Sequence, residues 1–406
     1  MSRMVKIFLG FSFCSLLATS ATSQLDSLHV ANKLENVTKT NWYDNFQIRG
    51  YLQVRYNRLL ETNPDLKCEQ CDKSWGENSG FFIRRARLIF SGQISKRVYF
   101  YIQPDFASSA GSTGNIAQLR DAYFDLGLDK NNEFRIRLGQ SKVPYGFENM
   151  QSSQNRIALD RNDALNSSVS NERDMGAFFY WAPKAKRELF SSLIKDGLKG
   201  SGDYGVFAFG VYNGQTANQA ERNDNLHVVS RFSYPFKIKN QIIEPGIQAY
   251  TGKYVLLSTS PEVKKAANNE YLDQRIAASF IVYPKPFGIQ AEYNVGRGPE
   301  YNKFSDSIEV QGLKGGYITL SYMLKIGKQT LIPFFRGQYY EGGKKHELDA
   351  RSYKLNEYEI GFEWQPHKTF ELVAMYTISH RRFEDHAKPE NFQQGNLLRL
   401  QAQINF

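Results

Sequence analysis

The chain has 406 residues, a formal net charge of +10 and an aromatic content of 14%, with 24 tyrosines and 29 phenylalanines. Its mean hydropathy is −0.51, and beyond the N-terminus it has no run of the about 20 apolar residues that a membrane-spanning helix needs. These values exclude a helical membrane protein. High aromatic content with polar mean hydropathy is typical of a transmembrane β-barrel, whose strands face lipid and water with alternate residues. A large secreted all-β protein would share this composition.

The N-terminus predicts an export signal. Arg3 and Lys6 precede an apolar stretch at 7–18, and small residues follow where cleavage is expected. Loss of these two basic residues would lower the net charge from +10 to +8. We therefore predict a signal peptide at 1–23, a short periplasmic segment at 24–45 and a barrel domain at 46–406.

Alternation is clear in the first and last predicted strands. In FQIRGYLQVRYN (46–57), the apolar side chains lie on one face, and the polar ones, including Arg49 and Arg55, lie on the other. The last strand repeats the pattern and ends at Phe406. A C-terminal phenylalanine on an amphipathic last strand is similar to the signal that the outer-membrane barrel assembly machinery recognises. We therefore expect that machinery to insert the chain.

The same alternation recurs between these two strands and predicts an all-β fold, a transmembrane antiparallel β-barrel of 16 strands. Strands of about 10–13 residues suit a tilted crossing of the bilayer, and they are long for a β-sandwich or a propeller, which is the alternative. The intervening strands are predicted near 81–92, 97–107, 117–128, 134–142, 174–182, 204–213, 225–236, 241–252, 271–283, 287–297, 314–326, 329–341, 355–365 and 370–380.

The connections alternate in length as well. Short turns follow the even-numbered strands and long polar loops follow the odd-numbered ones, which is the plan of an outer-membrane barrel with both termini in the periplasm. Residues 183–203, after the sixth strand, are too long for a tight turn, so they form a short helix or mark a misplaced strand. Cys68 and Cys71 lie in the first long loop, where we expect a small disulfide at the cell exterior.

The second strand contains FFIRRARLIF (81–90), with three arginines in an apolar run. Strict alternation places Arg85 and Arg87 on one face with Ile83. An arginine facing lipid near the bilayer midplane costs about 2–4 kcal/mol, whereas a water-filled lumen largely removes that cost. We therefore predict that Arg85 and Arg87 face the lumen. Arg84 falls on the apolar face and needs a bulge, an interfacial depth or a subunit contact.

Other strands turn further charges inward, and two interpretations of these charges stay open. The charges could pair across the lumen and only hold the wall rigid. Alternatively, the arginine-rich sector of strands 1, 2 and 5 could attract oxyanions, because arginine stays charged and its planar fork matches phosphate or carboxylate. The inward cations are Arg49, Arg55, Arg135, Arg137, Arg231, Arg275 and Arg399, and the inward acids are Asp105, Asp121, Asp125, Glu357, Glu359 and Glu363.

Four segments resemble the phosphate-selective porin O and P family: FFIRRARLIFSGQISKRVYFYIQPDFA, LRDAYFDLG, FRIRLGQSKVPYGFENMQSS and GVFAFGVYNG. The resemblance extends over almost the whole mature chain, and its most specific parts are RRAR and GQSKVPYG. It implies a sixteen-stranded outer-membrane porin, usually trimeric, with basic residues at a constriction and a long third loop folded inward. Arg84, Arg85 and Lys142 match motif positions of the family, and Arg161 is a weaker match. The loop at 143–173 departs from a uniformly basic constriction, because it also carries four acids.

We therefore predict an outer-membrane porin with a water-filled, anion-preferring channel for phosphate or other small anionic solutes. Expected partners are membrane lipid, lipopolysaccharide and two further copies in a homotrimer; no nucleic acid, cofactor or metal is expected. The candidate solute-binding residues are Arg49, Arg84, Arg85, Arg87, Arg135, Arg137, Lys142 and Arg161.

Three alternatives remain: a non-selective general porin, an outer-membrane enzyme, and a structural or adhesive barrel with a closed lumen. An enzyme would need a nucleophile and a base held together, but the sequence contains neither G-x-S-x-G nor HExxH. His380 and His386 are the only histidines close together with acids near, and a solvated loop explains them more simply than a metal site. The enzyme alternative is therefore not adopted.

Overall fold

The structure, a computed structural model, describes residues 42–67, 80–110 and 113–406. Within them, sixteen antiparallel strands each pair with the next, and the last pairs with the first to close the barrel, which confirms the predicted fold. The strands are β1 Phe46–Leu59, β2 Phe81–Gln93, β3 Val98–Ala110, β4 Thr113–Gly127, β5 Phe134–Lys142, β6 Arg173–Trp181, β7 Phe207–Tyr212, β8 His227–Ser233 continued by Phe236–Ile238, β9 Gln241–Val255, β10 Glu270–Val282, β11 Phe287–Asn302, β12 Ser307–Tyr322 continued by Leu324–Ile326, β13 Gln329–Gly343, β14 Ser352–His367, β15 Phe370–Glu384 and β16 Phe392–Asn405.

Successive side chains alternate between an apolar outside and a largely polar inside. On β14, Tyr358, Ile360 and Phe362 are each about half exposed, while the neighbouring Glu357 and Glu359 are buried. Because side chains of a strand point to opposite faces in turn, the first set forms part of the lipid-facing belt and the second faces the lumen. The alternation of apolar and polar residues in the sequence therefore matches the alternation of outward and inward side chains in the barrel wall.

Several strands extend further on the loop side than the sequence indicated. The predicted ends at 297 and 314 are wrong, because 297–302 pair with 307–312 in one continuous ladder. Residues 297–302 read RGPEYN, with one aromatic among glycine, proline and polar residues, so hydrophobic alternation does not mark this extension. The strands β8 and β12 are interrupted near their periplasmic ends, β8 at 234–235 and β12 at Met323. Pro235 in the first interruption has no N–H to donate to a ladder.

Among the described residues the helical segments are short. The α-helices are α1 Phe147–Met150, α2 Asp163–Asn166 and α3 Lys184–Lys195, and the 3-10 turns are Trp42–Asn45, Ser170–Glu172, Ala267–Asn269 and Leu348–Ala350. None of the helices in this part of the chain is long and apolar enough to cross a membrane. α3 settles the choice left open for 183–203: this segment contains a helix and not a misplaced strand.

The C-terminus completes the closure of the barrel. The N–H of Phe406 donates to the carbonyl of Gly50 at 3.0 Å, and the N–H of Gly50 donates back at 2.8 Å. A Cβ atom added to Gly50 would lie only 2.7 Å from Cζ of Phe406. The terminal aromatic ring therefore packs directly over the backbone of β1, and only glycine leaves room for it there.

Candidate functional site

The third long loop, residues 143–172 and here called L3, folds into the barrel, and most of it is buried. At its start, the Glu292 carboxylate accepts hydrogen bonds from the N–H groups of Phe147 (2.6 Å) and Glu148 (2.9 Å). Further along, the Asn162 side chain caps α2 by accepting from the N–H of Leu165. L3 is therefore a fixed internal partition with satisfied backbone groups.

Arginines from the surrounding wall hold L3 in place. Arg336 donates to the Glu148 carboxylate at 3.0 Å and to the carbonyl of Asp160 at 2.8 Å, and Arg275 donates to Ser167 Oγ at 2.6 Å. We call the full set the L3 clamp; all its members are at most 3% exposed and bond to side chains or carbonyls of L3: Arg55, Arg275, Arg336, Arg381 and Arg399.

Asp160 is the acid at the centre of the clamp. Arg55 lies 3.2 Å from its carboxylate, and Arg399 bonds to the other oxygen. Burial alone would raise the pKa of Asp160, but Arg399, Arg55 and Arg84 hold that pKa well below its usual range. The acid therefore stays ionised, and the positive charge of its partners is largely neutralised by L3.

The opposite side of the lumen is open. A cavity of about 410 Å³ lies between β1–β5, the middle of L3 and α3. Seven cationic side chains line it against three carboxylates, an excess of four positive charges. The cations are Arg49, Arg97, Arg135, Arg137, Lys142, Arg173 and Arg187, and the acids are Asp121, Asp125 and Asp203.

Of the predicted site residues on this side, two are paired with acids and two are not. Arg137 binds the Asp125 carboxylate in a bidentate manner, at 2.7 and 2.9 Å. Arg135 lies 2.8 Å from the carboxylate of Asp203, between α3 and β7. Lys142 Nζ instead donates to the carbonyls of Met150 and Gln151. In the described part of the chain Arg49 has no hydrogen bond or ion pair. Neither Lys142 nor Arg49 thus forms an ion pair with a carboxylate of the described residues.

Arg84 occupies a β-bulge. The β1–β2 register pairs Gln53 with Arg85 but Val54 with Ile83, so Arg84 is the extra residue. The bulge explains how consecutive arginines share the lumenal side, and the charge of Arg84 acts on Asp160 in L3. It also corrects one prediction: Ile83 faces outward, 39% exposed, because the extra residue shifts the alternation by one.

The remaining predicted residues differ in their partners. Arg87 binds the Asp105 carboxylate at 2.6 Å, and Arg161 binds that of Glu172 at 2.7 Å. Arg85, 4% exposed, bonds only to the Gln53 amide oxygen, at 2.8 Å, and has no ion pair among the described residues. Arg85 therefore differs from Arg87 and Arg161, which both form ion pairs.

Arg156 of L3 is a candidate that sequence reasoning did not select. It is 4% exposed, its single hydrogen bond goes to the carbonyl of Leu159, and its Nε and Nη1 have no partner in the described residues. Burial and the neighbouring Arg161 lower the pKa of Arg156, and its charge also acts on Arg85. A loop has no periodicity, so no sequence signal distinguished it from its paired neighbours.

A closed sixteen-stranded barrel with an inward-folded third loop and a charged lumen defines an outer-membrane porin. The sequence profile of the phosphate-selective porin O and P family matches residues 65–406, and the chain belongs to that family. The family and the fold accordingly indicate a multi-pass channel protein of the outer membrane rather than an enzyme. No curated protein sequence matches it.

Several solved structures of porins and channels have a similar fold at low sequence identity. The outer-membrane channel DcaP of Acinetobacter baumannii has a TM-score of 0.55 and 13% identity, covering 89% of this chain and 97% of its own. The OmpF porin of Salmonella typhi, solved with daunomycin, has a TM-score of 0.54 and 12% identity over 89% and 98%. An anion-selective porin from Comamonas acidovorans has a TM-score of 0.52 and 10% identity over 89% and 99%. These similarities establish the fold alone.

Some predictions fall outside the described residues, namely the signal peptide at 1–23, most of the segment at 24–45, and the pair Cys68 and Cys71. The two neighbouring histidines of the sequence can be placed. His386 bonds to the Asp306 carboxylate at 2.9 Å in the loops above the barrel, while His380 is an exposed residue of β15. No group of three or more metal-binding side chains is found within the part of the chain that the structure describes.

Proposed function

We propose that the chain forms an anion-preferring diffusion channel for small oxyanions, with phosphate as the first candidate. The observation that carries this proposal is the excess of four positive charges around the cavity beside β1–β5. The family description names phosphate, and one structural neighbour is described as anion-selective. The predicted site residues supply Arg49, Arg135, Arg137 and Lys142 to that cavity.

The constriction proposed for this channel lies where β2 meets L3. Arg85 and Arg156 are both buried there without a carboxylate partner among the described residues. At an effective dielectric near 20, two unit charges about 5 Å apart interact by roughly 3 kcal/mol. That is enough to raise anion occupancy more than tenfold while release remains possible, which conduction requires.

A non-selective general porin is the second candidate, and a specific observation favours it. Most lumenal arginines bond directly to acids, as Arg87 does to Asp105 and Arg137 does to Asp125. The opposite charges of such a pair largely cancel, so the pair contributes little to the electrostatic potential elsewhere in the lumen. The two candidates therefore differ in whether the unpaired cations dominate permeation, and Arg85 is the residue on which to test this.

The test compares R85Q with R297Q in planar bilayers. Both substitutions remove one arginine, but Arg297 lies on the outer face, where it bonds to Gln274. We expect R85Q to lower the anion/cation permeability ratio obtained from reversal potentials in a salt gradient, and to weaken the inhibition of chloride current by added phosphate. R297Q should change neither. Equal reversal potentials for wild type and R85Q, with unchanged phosphate inhibition, would leave the general porin as the better description.

Assembly and export are proposed on family membership. We propose that the channel is a homotrimer, that 1–23 is a cleaved signal peptide, and that the apolar outer belt contacts lipid and lipopolysaccharide. Chemical cross-linking of the detergent-extracted protein and N-terminal sequencing of the exported chain test the first two points. A monomer by cross-linking, or an exported chain that starts at Met1, would refute the corresponding proposal.

A further inference from the structure

The periplasmic turn between β6 and β7, residues 182–206, folds back into the lumen. Phe190 and Leu193 of α3, and Leu198 after it, are at most 3% exposed. They pack against apolar side chains that the barrel wall turns inward near its periplasmic end, which are Ile242, Ile281, Tyr283, Met323, Ile332, Phe334, Val373 and Met375. Apolar residues on a lumenal wall would face water without this cover. The turn and this wall therefore form one hydrophobic core.

The packing leaves little space beside Leu198. The space beside Leu198, between the turn and β10–β12, is about 10 Å³, roughly the volume that a single water centre needs. Lys199 adds a buried ion pair to Glu363 of β14, with Nζ–O distances of 2.5 and 2.6 Å. Hydrophobic burial and this pair hold the turn as a fixed plug and not as a mobile lid.

Two cavities flank α3 as a result. The first is the cavity of about 410 Å³ beside β1–β5, which Ser191 and Asp203 of the turn line. The second, of about 380 Å³, lies between Asp196 of the turn and β12–β15, and includes Thr330. Ile194 of α3 and Gln154 and Asn155 of L3 border both cavities, so these residues form the boundary between them.

On the first side the turn contributes a carboxylate to the cationic wall. Asp203 binds Arg135 of β5 and Arg187 of α3, each at 2.8 Å. The following residue, Tyr204, lies with its ring centroid 5.6 Å from the Arg137 guanidinium. The turn thus places one negative charge among three arginines where the cavity approaches the periplasm.

We propose that this periplasmic turn is a second selectivity element: it fills the space beside β10–β12, directs solute through the β1–β5 cavity, and moderates anion preference there through Asp203. The inference rests on the proposed conduction path along β1–β5. It does not depend on the sign of the wild-type selectivity, because the removal of Asp203 adds the same net charge in either case.

The first experiment measures the anion/cation permeability ratio of D203N against D196N in planar bilayers. Both variants remove one carboxylate from the same turn, but Asp203 borders the first cavity and Asp196 the second. We expect D203N to shift the ratio toward anions by about twofold or more, D203E to restore it, and D196N to leave it unchanged. Equal shifts in D203N and D196N, or no shift in D203N, would overturn the proposal. A cation-preferring wild type that still shows the D203N shift would refute the proposed anion preference alone.

A second experiment separates the two cavities without a change of charge. In a background with Cys68 and Cys71 replaced by serine, S191C and T330C each substitute a thiol for a hydroxyl, one in each cavity. An anionic thiosulfonate reagent should reduce the conductance of S191C and leave that of T330C unchanged. Reduction in both variants, or in T330C alone, would show that solute passes on both sides of α3.

Discussion

The two halves of the lumenal wall carry the same kind of side chain in different surroundings. Alternation turns Arg336 of β13 inward just as it turns Arg85 of β2, and both are almost fully buried. Arg336 lies between the carboxylates of Glu148 of L3 and Glu359 of β14. Among the described residues, Arg85 donates a hydrogen bond only to the side-chain amide oxygen of Gln53. An inward arginine therefore has a structural role where it pairs with acids of L3 and the wall, and a proposed role in permeation where it forms no such pair.

The strand β1 joins these two halves, and the largest expected effect concerns its closure. Phe406 exchanges backbone hydrogen bonds with Gly50 of β1 and packs its ring there. Deletion of Phe406 should sharply reduce the amount of heat-modifiable, membrane-integrated barrel, because both the last backbone pair and the terminal aromatic are lost. The measurement is the fraction of folded protein in isolated outer membranes.

F392A is the matched control for this deletion. Phe392, at the other end of the same strand, has a similar exposure of 61% against 64% for Phe406. The control should assemble normally, because its backbone pairing is kept. If the deletion variant reaches wild-type levels, or if F392A loses as much, the terminal residue has no special role in assembly.

The second prediction tests the difference between the two walls directly, with the same substitution on each. R336Q removes the arginine from the buried Glu148, while Glu359 keeps Arg399 at 3.5 Å. The loss of one partner of a buried pair costs about 3–5 kcal/mol. R85Q leaves no carboxylate unpaired. We therefore expect R336Q to lower the temperature at which the barrel unfolds and to make single-channel current noisier, as L3 loosens. R85Q should keep the wild-type unfolding temperature and change selectivity. Similar stability losses in the two variants would contradict the division of the wall.

How much of this could be predicted from the sequence depends on the range of the interactions. The strands and the lumenal side of Arg85 follow from a period of two, which is local. The pattern within β2 allows a bulge at Arg84 as one of three explanations, and only the pairing between β1 and β2 selects the bulge. The partners of L3, such as Glu148 with Arg336, are 188 residues apart and depend on the loop path.

The sequence also contains a signal for an internal cover at the periplasmic end of the lumen. Ile332 of β13 and Met375 of β15 occupy inward positions where a water-filled lumen favours polar residues. Both are completely buried under the periplasmic turn. Apolar residues on the inward face near the periplasmic end thus indicate an internal cover, and the long turn at 183–203 was the segment available to supply it.

The smallest expected effect comes from a paired arginine on the open wall. Arg137 and Asp125 share two hydrogen bonds, at 2.7 and 2.9 Å, so their fields largely cancel beyond the pair. The double variant D125N/R137Q keeps the net charge of the cavity and leaves no unpartnered carboxylate. We expect its anion/cation permeability ratio to stay within about 1.5-fold of wild type, as for an ion pair of small net contribution.

The Arg137 guanidinium also stacks on Tyr123, 3.8 Å from the ring centroid, so the shorter glutamine should widen the cavity and raise conductance slightly. R137Q alone should shift selectivity toward cations, because it frees the Asp125 charge. If the double variant lost as much anion preference as R85Q, paired and unpaired arginines would contribute alike, and the charge of the open wall would act as a whole.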